Sequence, residues 1–508
     1  MLPFHDLPSI RVLPYKPLDH YERLPAENPP RRPINQHRGS RHAYRRVFTW
    51  RNFILAIATI LVLVVLLNGF PALYTDIRKY EQQFPQHNIT LSLSSGTKFL
   101  AFPHHIWGHG WNNVLQEYLL HSYLALITNR SYVFDDYTWS HSPLPYTIYD
   151  FALRLSRIPL NAFVAGPLAG GSPMLLTRPY PRAVHSEFWA SICPNEKRHV
   201  ITSTIMPKNV SGLDRVQWWK ELISQNEDID CLVIDTREQR IFDFEFFGGQ
   251  QFLDVWPSLS QTPILTDFKW SPLVSSAIER NFITLLDPHE LPSNVSSERL
   301  HSSALAATSF QRADLYPALL AVHIRRGDYD RHCSRMADLR LPFYGFNSHE
   351  DLLDPWSPYT GSLAGEIEHY YRKRCLPTQD DIVQRLHTVR NEYDRFLCDA
   401  AKDDPSNNTD CVTISAPNQL RRIFALSNAW PFWLNALKRK LLDDGWDDVI
   451  FGGDLILDRQ QKGVDIAIDM GIAERTEVFV GNGFSSLSGN VIMLRTAKGL
   501  HPQTNRLL

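Results

Sequence analysis

A short apolar run that ends in two arginines constrains the fold of this chain more than any other feature. Residues 319–324 are apolar apart from one histidine, a pattern typical of a buried strand in a parallel sheet. The four residues that follow are Arg325, Arg326, Gly327 and Asp328. Ligands of open α/β sheets bind beyond the carboxyl ends of the strands, and a guanidinium group matches phosphate in charge and geometry. The run therefore predicts an α/β fold, with either a phosphate site or a structural ion pair at this strand end.

An uncharged apolar run near the amino end, residues 53–67, predicts a segment that crosses a membrane. Its apolar flanks extend it to about twenty residues, the length that a helix needs to span a bilayer. Between residues 31 and 51 the chain has seven arginines and no acid, which places the amino end in the cytosol. A cleaved signal peptide and a buried core helix are the alternatives, and a signal peptide would begin closer to the amino end.

This orientation predicts how the amino-terminal part of the chain is organised. We expect a disordered basic cytosolic tail at residues 1–46, a single transmembrane helix at 47–73 and a lumenal stem at 74–96. The remaining residues then lie in the lumen of the Golgi or endoplasmic reticulum, as the body of a type II membrane protein. All five Asn-x-Ser/Thr sequons follow the apolar run, and they begin at Asn88, Asn129, Asn209, Asn294 and Asn407.

The six cysteines also follow the apolar run, and an oxidising lumen permits three disulfides among them. We predict Cys398 with Cys411, which flank a short polar loop, and Cys333 with Cys375 as a second pair. No Cys and His cluster has the spacing of a zinc site, so we expect no metal. The net charge is −2 and the chain has no zinc-finger or polybasic RNA signature, so we expect no nucleic-acid partner.

A strand, a glycine loop, a helix and a second strand follow one another at the start of the predicted lumenal body. The strand covers residues 98–102, Gly108 and Gly110 flank His109 in the loop, and apolar residues at helical spacing cover 111–126. The next strand, 131–134, ends in two aspartates. This order is that of a Rossmann-type unit, and a plain tight turn is the alternative for the glycines. We assign residues 97–300 to a first Rossmann-like domain.

A second α/β series covers residues 301–508. Its strands are 319–324, 422–427 and 477–480, and the last of them runs into a loop of glycines and serines. Ser485 and Ser486 at the start of a helix predict a turn that accepts an anion, with ordinary helix capping as the alternative.

Three segments at strand ends resemble one enzyme family when taken together. They are Gly108-His109-Gly110-Trp111-Asn112-Asn113, His323-Ile324-Arg325-Arg326-Gly327-Asp328 and Phe479-Val480-Gly481-Asn482-Gly483-Phe484-Ser485-Ser486-Leu487-Ser488. In this order they resemble the GDP-fucose protein O-fucosyltransferases and the related α-1,6-fucosyltransferases and nodulation fucosyltransferase. The resemblance covers roughly residues 98–500.

The resemblance implies a GT-B-like fold of two facing Rossmann-like domains, with residues 97–300 on the acceptor side and residues 301–508 binding the nucleotide sugar. It also implies inverting, metal-independent transfer of fucose from GDP-fucose to a protein or glycan hydroxyl, with no cofactor beyond that donor. Arg325 would contact the diphosphate during catalysis. The remaining donor-binding residues implied by the resemblance are His323, Arg326, Asp328, Asn112, Asn113, Asn428, Ser485 and Ser486.

Two departures from the family pattern leave alternatives open. Asn428 stands where the family commonly has an aspartate, so a hydrogen bond to guanine loses its charge assistance. His109 stands where some members have a glutamate as the proposed base, and a histidine can take that role near neutral pH. Asp136 and Glu117 are alternative bases. A catalytically silent lumenal relative that binds a nucleotide sugar or glycan, and a transferase that uses another nucleotide sugar, are the competing functions.

Overall fold

The computed structural model describes residues 50–103, 105–106, 108–149, 152–172, 180–286, 315–327, 329–402 and 420–508. The predicted features that lie outside these ranges are the tail at 1–46, Asp328, Cys411 and the sequons at Asn294 and Asn407. Contacts within the chain separate Met1–Ile60 from Leu61–Leu508, and every strand described below belongs to the second unit. The domain boundary predicted near residue 300 stays a prediction.

Helix α1 (Trp50–Asn68) is 19 residues long and covers the apolar run of residues 53–67. Among the residues that the structure describes, no helix is both long enough and apolar enough to cross a membrane. The predicted transmembrane anchor is therefore not confirmed.

Residues 74–96, predicted as a stem, form α2 (Thr75–Gln82) and α3 (Ile89–Ser94). Glu81 of α2 is buried and accepts a hydrogen bond from the side-chain amide of Asn161 at 3.1 Å. A buried carboxylate needs such partners because burial otherwise disfavours its charge. The segment therefore packs against the body of the protein instead of standing apart from it.

Among the described residues, eleven strands precede residue 290, and the first of two parallel sheets is formed by some of them. The strands are β1 (Phe99–Ala101), β2 (Ser131–Phe134), β3 (Tyr137–Thr138), β4 (Tyr146–Tyr149), β5 (Ala152–Leu155), β6 (Arg157–Ile158), β7 (Val164–Ala165), β8 (Val184–His185), β9 (His199–Thr202), β10 (Cys231–Asp235) and β11 (Lys269–Trp270). Five of them form a parallel sheet in the order β8-β2-β1-β10-β9. The others form antiparallel pairs, β3 with β6, β4 with β5 and β7 with β11.

Helix α4 (Trp111–Ile127) begins directly after the predicted glycine loop and is buried along almost all of its length. A helix that is buried on every side belongs to a core, which here includes aromatic side chains of the following segments. The later helices of this half are α5 (Leu160–Phe163), α6 (Ser186–Ile192), α7 (Gly212–Ser224), α8 (Phe244–Gly248), α9 (Gln250–Leu259), α10 (Pro263–Thr266), α11 (Pro272–Arg280) and α12 (Phe282–Leu285). The predicted unit of strand, glycine loop, helix and strand is confirmed.

The second parallel sheet follows residue 315. Its strands are β12 (Tyr316–Ile324), β13 (Arg422–Ser427), β14 (Asp448–Phe451), β15 (Thr476–Gly481) and β16 (Asn505–Leu507). They pair in the order β14-β13-β12-β15-β16, with β12 in the middle. The helices of this half are α13 (Tyr329–Asp338), α14 (Ala364–Cys375), α15 (Gln379–Lys402), α16 (Pro431–Asp443), α17 (Asp465–Glu474) and α18 (Ser486–Ala497). Two parallel sheets with intervening helices confirm the predicted α/β class, and the GT-B-like arrangement stays a prediction.

Arg495 lies fully buried near the end of α18 and holds this helix against the second sheet. Its Nη1 donates to the carbonyl oxygens of Ala473 at 3.2 Å, Glu474 at 3.1 Å and Thr476 at 2.6 Å. Its Nε donates to Asn505 Oδ1 at 2.7 Å. Burial lowers the pKa of Arg495 to about 10, which still leaves the side chain charged at neutral pH. The buried guanidinium thus supplies hydrogen-bond donors to the backbone carbonyl oxygens where α17 leads into β15.

Two disulfides lie among the described residues. Cys333 of α13 bonds to Cys375 at the end of α14, which confirms the predicted second pair, and Cys193 bonds to Cys231. The predicted pairing of Cys398 with Cys411 stays a prediction because Cys411 lies outside the described residues.

Replacing both Cys333 and Cys375 with serine is expected to lower the free energy of unfolding by about 2–4 kcal/mol, because the 42-residue separation gives the unfolded chain a large loop to open. Urea unfolding of the oxidised protein and the double variant measures the difference. If reduction of the parent protein lowers its free energy of unfolding much more than the double substitution does, the other disulfides account for most of the stabilisation.

Candidate functional site

The carboxyl ends of the three central strands of the second sheet meet at one edge. Ile324 of β12 pairs with Ser427 of β13, and Val322 pairs with Val480 of β15. Arg325 therefore emerges beside the loop that follows β13, with the loop that leads into α18 on its other side. This is the edge at which ligands of parallel α/β sheets bind.

His323 is buried at this edge and is linked to the start of α18. Its Nδ1 lies 2.8 Å from Ser488 Oγ, and the same hydroxyl oxygen accepts the backbone N–H of Asn482 at 2.8 Å. Burial, together with the charge of Arg325, lowers the pKa of His323 to about 3, so the ring is neutral at physiological pH. Ser488 Oγ can donate to Nδ1 or accept from it, and where it donates, the ring proton of His323 lies on Nε2.

His323 is expected to make folding sensitive to acid. Its folded pKa of about 3 lies below the unfolded value near 6.5, so the unfolded chain binds more protons between these limits. The stability that this residue contributes is therefore complete above pH 6.5 and is lost as pH falls toward 3, at up to about 1.4 kcal/mol per pH unit. Urea unfolding between pH 4 and 7 should show a shallower pH dependence for His323→Asn than for the parent.

The same substitution at the exposed His199 is the control for the chemistry of replacing histidine with asparagine. An unchanged pH slope in the His323→Asn protein would show that folding does not lower the pKa of His323.

Arg325 is half-buried, and its guanidinium carbon lies 5.6 Å from the ring centroid of Tyr329. The Tyr329 hydroxyl donates to the carbonyl oxygen of Phe484 at 2.6 Å, which ties that ring to the loop before α18. A cation over an aromatic face is attracted by the ring and is held in place by it. The arrangement orients Arg325 at the edge where the loops after β12 and β15 meet.

Arg326 is already engaged with neighbouring structure. Its guanidinium lies 4.3 Å over the ring of Trp433, and its Nη2 donates to the carbonyl oxygen of Pro377. Burial and the nearby charge of Arg372 lower its pKa. Of the two adjacent arginines, Arg326 thus packs into its surroundings and Arg325 is the better placed to reach a ligand.

Asn428 braces the turn that follows β12. Its Oδ1 accepts the backbone N–H of Arg326 at 2.8 Å, and its Nδ2 donates to the Arg326 carbonyl at 3.1 Å. Gly327 has a φ of +65°, a conformation that glycine adopts without strain. Both polar groups of the Asn428 side chain therefore hold backbone, and its use in guanine recognition stays a prediction.

Helix α18 presents its amino end at the same edge. Ser485 is the N-cap residue, but its side chain makes no capping hydrogen bond. Ser485 is buried and Ser486 is half-buried. The first amides of a helix have no acceptor within the helix and favour an anion, and here the Ser485 side chain does not occupy them.

The loop that leads into α18 is rigidly braced. Asn482 is fully buried, and its Nδ2 donates to the carbonyl oxygen of Cys375 while its Oδ1 accepts the Phe484 amide. Asn347 Nδ2 donates to the carbonyl oxygens of Gly483 and Ser485, both at 3.0 Å. Side chains that fix the backbone on both sides preorganise the helix start for a ligand.

His109 lies in the loop before α4, half-buried, and its carbonyl oxygen accepts the Tyr137 hydroxyl at 2.9 Å. Burial and the charge of Arg240 lower the pKa of His109, so the imidazole is neutral at pH 7 and able to accept a proton. Asn113 is half-buried in the first turn of α4, and its backbone N–H donates to the Gly110 carbonyl oxygen at 3.1 Å.

Asn112 connects the two halves of the body. Asn490 of α18 donates through Nδ2 to Asn112 O at 2.9 Å and to Asn112 Oδ1 at 3.0 Å, while Gln116 Nε2 donates to Asn490 Oδ1 at 2.8 Å. Asn112 and Asn490 are buried. Asn112 thus has a structural contact with α18, and its predicted contact with the donor stays a prediction.

Glu117 is a buried carboxyl group beneath the loop that contains His109. Burial raises its pKa to about 7, although Arg240 and the amide of Ile106 favour its charged form. The Ile106 N–H donates to Glu117 Oε2 at 2.7 Å, and Arg240 Nη1 lies 3.4 Å from Oε1. A carboxyl with this pKa suits proton transfer at neutral pH, but its side chain is only 3% exposed and holds the loop.

Asp136, the other alternative base, belongs to a buried charge cluster with Glu81 and His185. Burial opposes its ionisation, but hydrogen bonds from His185 and Arg78 outweigh burial and hold its pKa below the ordinary value. His185 Nδ1 accepts the amide of Glu187 at 3.2 Å, so in the neutral ring Nε2 carries the proton and faces Asp136. A protonated nitrogen does not bind a metal, and this donor set does not fit one.

Several residues that shape the site were not predicted from the sequence. Asn347, Asn490 and Tyr329 brace the two loops and the helix start through contacts across long stretches of chain. One signal was available: Asn490 is a polar residue directly before the apolar residues 491–494, and such a position calls for a buried hydrogen-bond partner.

No family model and no curated protein sequence matches this chain. Solved structures do resemble it. POFUT1 in complex with GDP-fucose is 14% identical with a TM-score of 0.47, and the match covers 81% of this chain and 98% of that chain. NodZ alpha-1,6-fucosyltransferase soaked with GDP-fucose is 10% identical with a TM-score of 0.32, covering 78% and 93% of the two chains.

An Arabidopsis thaliana FUT1 mutant in complex with GDP is 10% identical with a TM-score of 0.29, and the match covers 84% of this chain and 78% of that chain. The structure neighbours are thus fucosyltransferases, the kind of protein that the sequence motifs resemble. Because these TM-scores are below 0.5, the argument for function rests on the residues of the site.

Proposed function

We propose that this protein transfers fucose from GDP-fucose to a hydroxyl group of a protein or glycan, with inversion and without a metal ion. One observation carries the proposal: the Arg325 side chain and the amino end of α18 lie at one sheet edge, joined through the contact of His323 with Ser488. Two independent sources of positive potential at the carboxyl end of a parallel sheet suit a diphosphate.

The chemistry needs this positive potential because the leaving group is an anion. When the bond between fucose and GDP breaks, negative charge grows on the β-phosphate while the sugar becomes oxocarbenium-like. Arg325 and the first amides of α18 would stabilise the departing diphosphate, and the braced loop requires little reorganisation as the charge develops. Where Ser488 donates to Nδ1, the neutral His323 would offer its Nε2–H as a further donor.

His109 is the proposed general base. Its pKa is lowered by burial and by Arg240, so the unprotonated imidazole is the form present at neutral pH. In an inverting transfer, the base takes the proton of the acceptor hydroxyl as that oxygen attacks the sugar carbon opposite GDP. Asp136 and Glu117 are weaker choices because both are committed to buried contacts.

The test is GDP release from GDP-fucose by the purified full-length protein, with panels of peptide and glycan acceptors and with EDTA present. Acceptor-dependent GDP release together with fucosylated product supports the proposal. Tight binding of GDP-fucose without turnover on any acceptor would instead identify a catalytically silent relative. Loss of activity in EDTA would contradict the metal-independent mechanism.

A transferase that uses another nucleotide sugar is the second candidate, and the geometry of Asn428 favours it. The side chain amide holds the Arg326 backbone through two hydrogen bonds, so it is not set toward a guanine edge. Competition of UDP, ADP and GDP for the donor site separates the candidates: preference for GDP supports fucose transfer, and preference for UDP supports the alternative.

The proposed location is the lumen of the Golgi or endoplasmic reticulum. The disulfides Cys193–Cys231 and Cys333–Cys375 require an oxidising compartment. Asn88, Asn129 and Asn209 are exposed, as glycosylation at their sequons requires. Protease protection in microsomes tests the location, and alkaline extraction tests whether the full chain is held in the membrane.

A further inference from the structure

A cavity of about 410 Å³ lies at the amino ends of the strands of the first sheet, opposite the edge that ligands of such sheets use. Lys98 precedes β1 there, Ser131 begins β2 and Val184 begins β8. The volume is within the range of about 300–1,000 Å³ that is usual for ligand sites. The catalytic proposal gives this cavity no role.

The lining of the cavity is rich in hydroxyl groups and contains no carboxylate. Ser92, Ser95 and Thr97 supply hydroxyls, and Lys98 and Arg182 supply the charged groups. Each hydroxyl oxygen can accept as well as donate a hydrogen bond. Such a lining suits a neutral ligand with many hydroxyl groups, which describes a carbohydrate.

Gln86 adds an acceptor that has no partner among the described residues. Its Nε2 donates to the carbonyl oxygens of Gly170 at 2.8 Å and Ala183 at 2.9 Å, which fixes the orientation of the amide. Its Oε1 is buried and makes no hydrogen bond there. A buried acceptor without a donor is costly, and a ligand hydroxyl or amide would satisfy it.

Asn129 lies on the rim of this cavity and begins the sequon Asn129-Arg130-Ser131. It follows α4 with a φ of 53°, and the amides of Asn129 and Arg130 bond back to Leu126 and Ala125, which is the Schellman arrangement. Arg130 is buried and donates to Phe99 and Ile229, so the turn is fixed and the Asn129 side chain stays exposed.

We propose that Asn129 carries an N-linked glycan and that its first N-acetylglucosamine residues lie in this cavity. The proposal depends on the lumenal location and is independent of fucosyl transfer. In the modification, the anomeric carbon bonds to Asn129 Nδ2, which loses a proton, while the bond from that carbon to the diphosphate of a lipid-linked oligosaccharide donor breaks. The lining of this cavity includes Asn129 but neither Asn88 nor Asn209.

The first measurement is glycopeptide mass spectrometry of the full-length protein expressed in a eukaryotic secretory pathway. Asn129 is expected to be occupied, and an unmodified Asn129 would overturn the proposal. The second measurement is the rate at which an amidase releases the Asn129 glycan from native and from denatured protein. A glycan that lies in the cavity is expected to be released at least about tenfold more slowly from the native protein, and equal rates would overturn the proposed location.

Substitutions in α3 and directly after it show whether the Asn129 glycan lies in the cavity or whether neighbouring residues only hinder access of the amidase to it. Ser95→Trp fills the cavity from its exposed rim and is expected to bring native release close to the denatured rate. Ser94→Trp is the matched control, because Ser94 is exposed but does not line the cavity. Slow release that is unchanged in Ser95→Trp would overturn the proposed location in the cavity.

The stability of the glycosylated protein gives a readout that does not depend on an enzyme reaching the glycan. Asn129→Gly and Asn209→Gly each remove one sequon at a position with positive φ, 53° and 56°, where glycine fits without strain. Asn129→Gly is expected to lower Tm by about 2 °C or more, and Asn209→Gly is expected to leave it nearly unchanged. Equal Tm values for the two variants would overturn the proposal that the Asn129 glycan lies in the cavity.

Discussion

Replacing Arg325 with alanine is expected to lower the rate of GDP release from GDP-fucose by about 10²–10³, the usual effect of removing one preorganised donor to a developing anion. The guanidinium is half-buried, is held over the ring of Tyr329 and lies at the edge shared with the start of α18. Its loss removes positive charge where the departing diphosphate is proposed to sit. Single-turnover GDP release at saturating donor measures the effect on the chemical step.

Two matched variants show whether the loss reflects the position or the charge. Arg325→Lys keeps the charge without the planar fork, so an intermediate loss is expected. Arg331→Ala removes an arginine from an exposed position of α13 and is expected to leave the rate unchanged. If Arg325→Ala keeps more than half of the parent rate while its Tm is unaltered, Arg325 does not stabilise the leaving group.

Replacing the buried Arg495 with methionine is expected to lower the free energy of unfolding by at least about 3 kcal/mol. The carbonyl oxygens of Glu474 and Thr476 would lose the Nη1 donor inside the core, while that of Ala473 keeps the Thr476 hydroxyl as a donor. Each buried acceptor left without a partner costs roughly 1–3 kcal/mol, and methionine supplies none of the lost hydrogen bonds. Urea unfolding of the parent and the variant measures the change.

Arg439→Met makes the same chemical change at an exposed position of α16 and is expected to alter stability by less than about 0.5 kcal/mol. Arg495→Lys should fall between the parent and Arg495→Met, since one ammonium group reaches fewer of the acceptors. A loss of under 1 kcal/mol in Arg495→Met would show that water replaces the arginine at these carbonyls.

Helix α4 and the strands β1, β2, β12, β13 and β15 were predictable because their signals are local. Residues 319–324 form the carboxyl part of β12, and the predicted helix at 111–126 is α4 to within one residue. Buried parallel strands are short continuous apolar runs, and a helix repeats its apolar residues every three or four positions. Both patterns predict the folded structure correctly because the apolar side chains that form them are also the ones that pack in the core.

The partners of the polar site residues were not predictable from local patterns. Asn112 is joined to Asn490 across 378 residues of chain, and Asn428 is joined to Arg326 across 102. An amide on its own does not show whether it will hold backbone, another side chain or a ligand, because its two groups fit all three. The packing of the segment at 74–96 was not predictable either, since its buried Glu81 finds its partner Asn161 only in the folded chain.

The hydrogen bonds from Asn490 to Asn112 and from Gln116 to Asn490 have a consequence for how substrates enter and leave. These groups are buried where α18 meets α4, and a hinge motion that moved the two sheets apart would expose and break all three bonds at once. Donor exchange is therefore expected to proceed through rearrangement of surface loops around a closed frame. The rate of donor exchange is then expected to change with substitutions in these loops. It is expected not to show the dependence on solvent viscosity that movement of a whole lobe would cause.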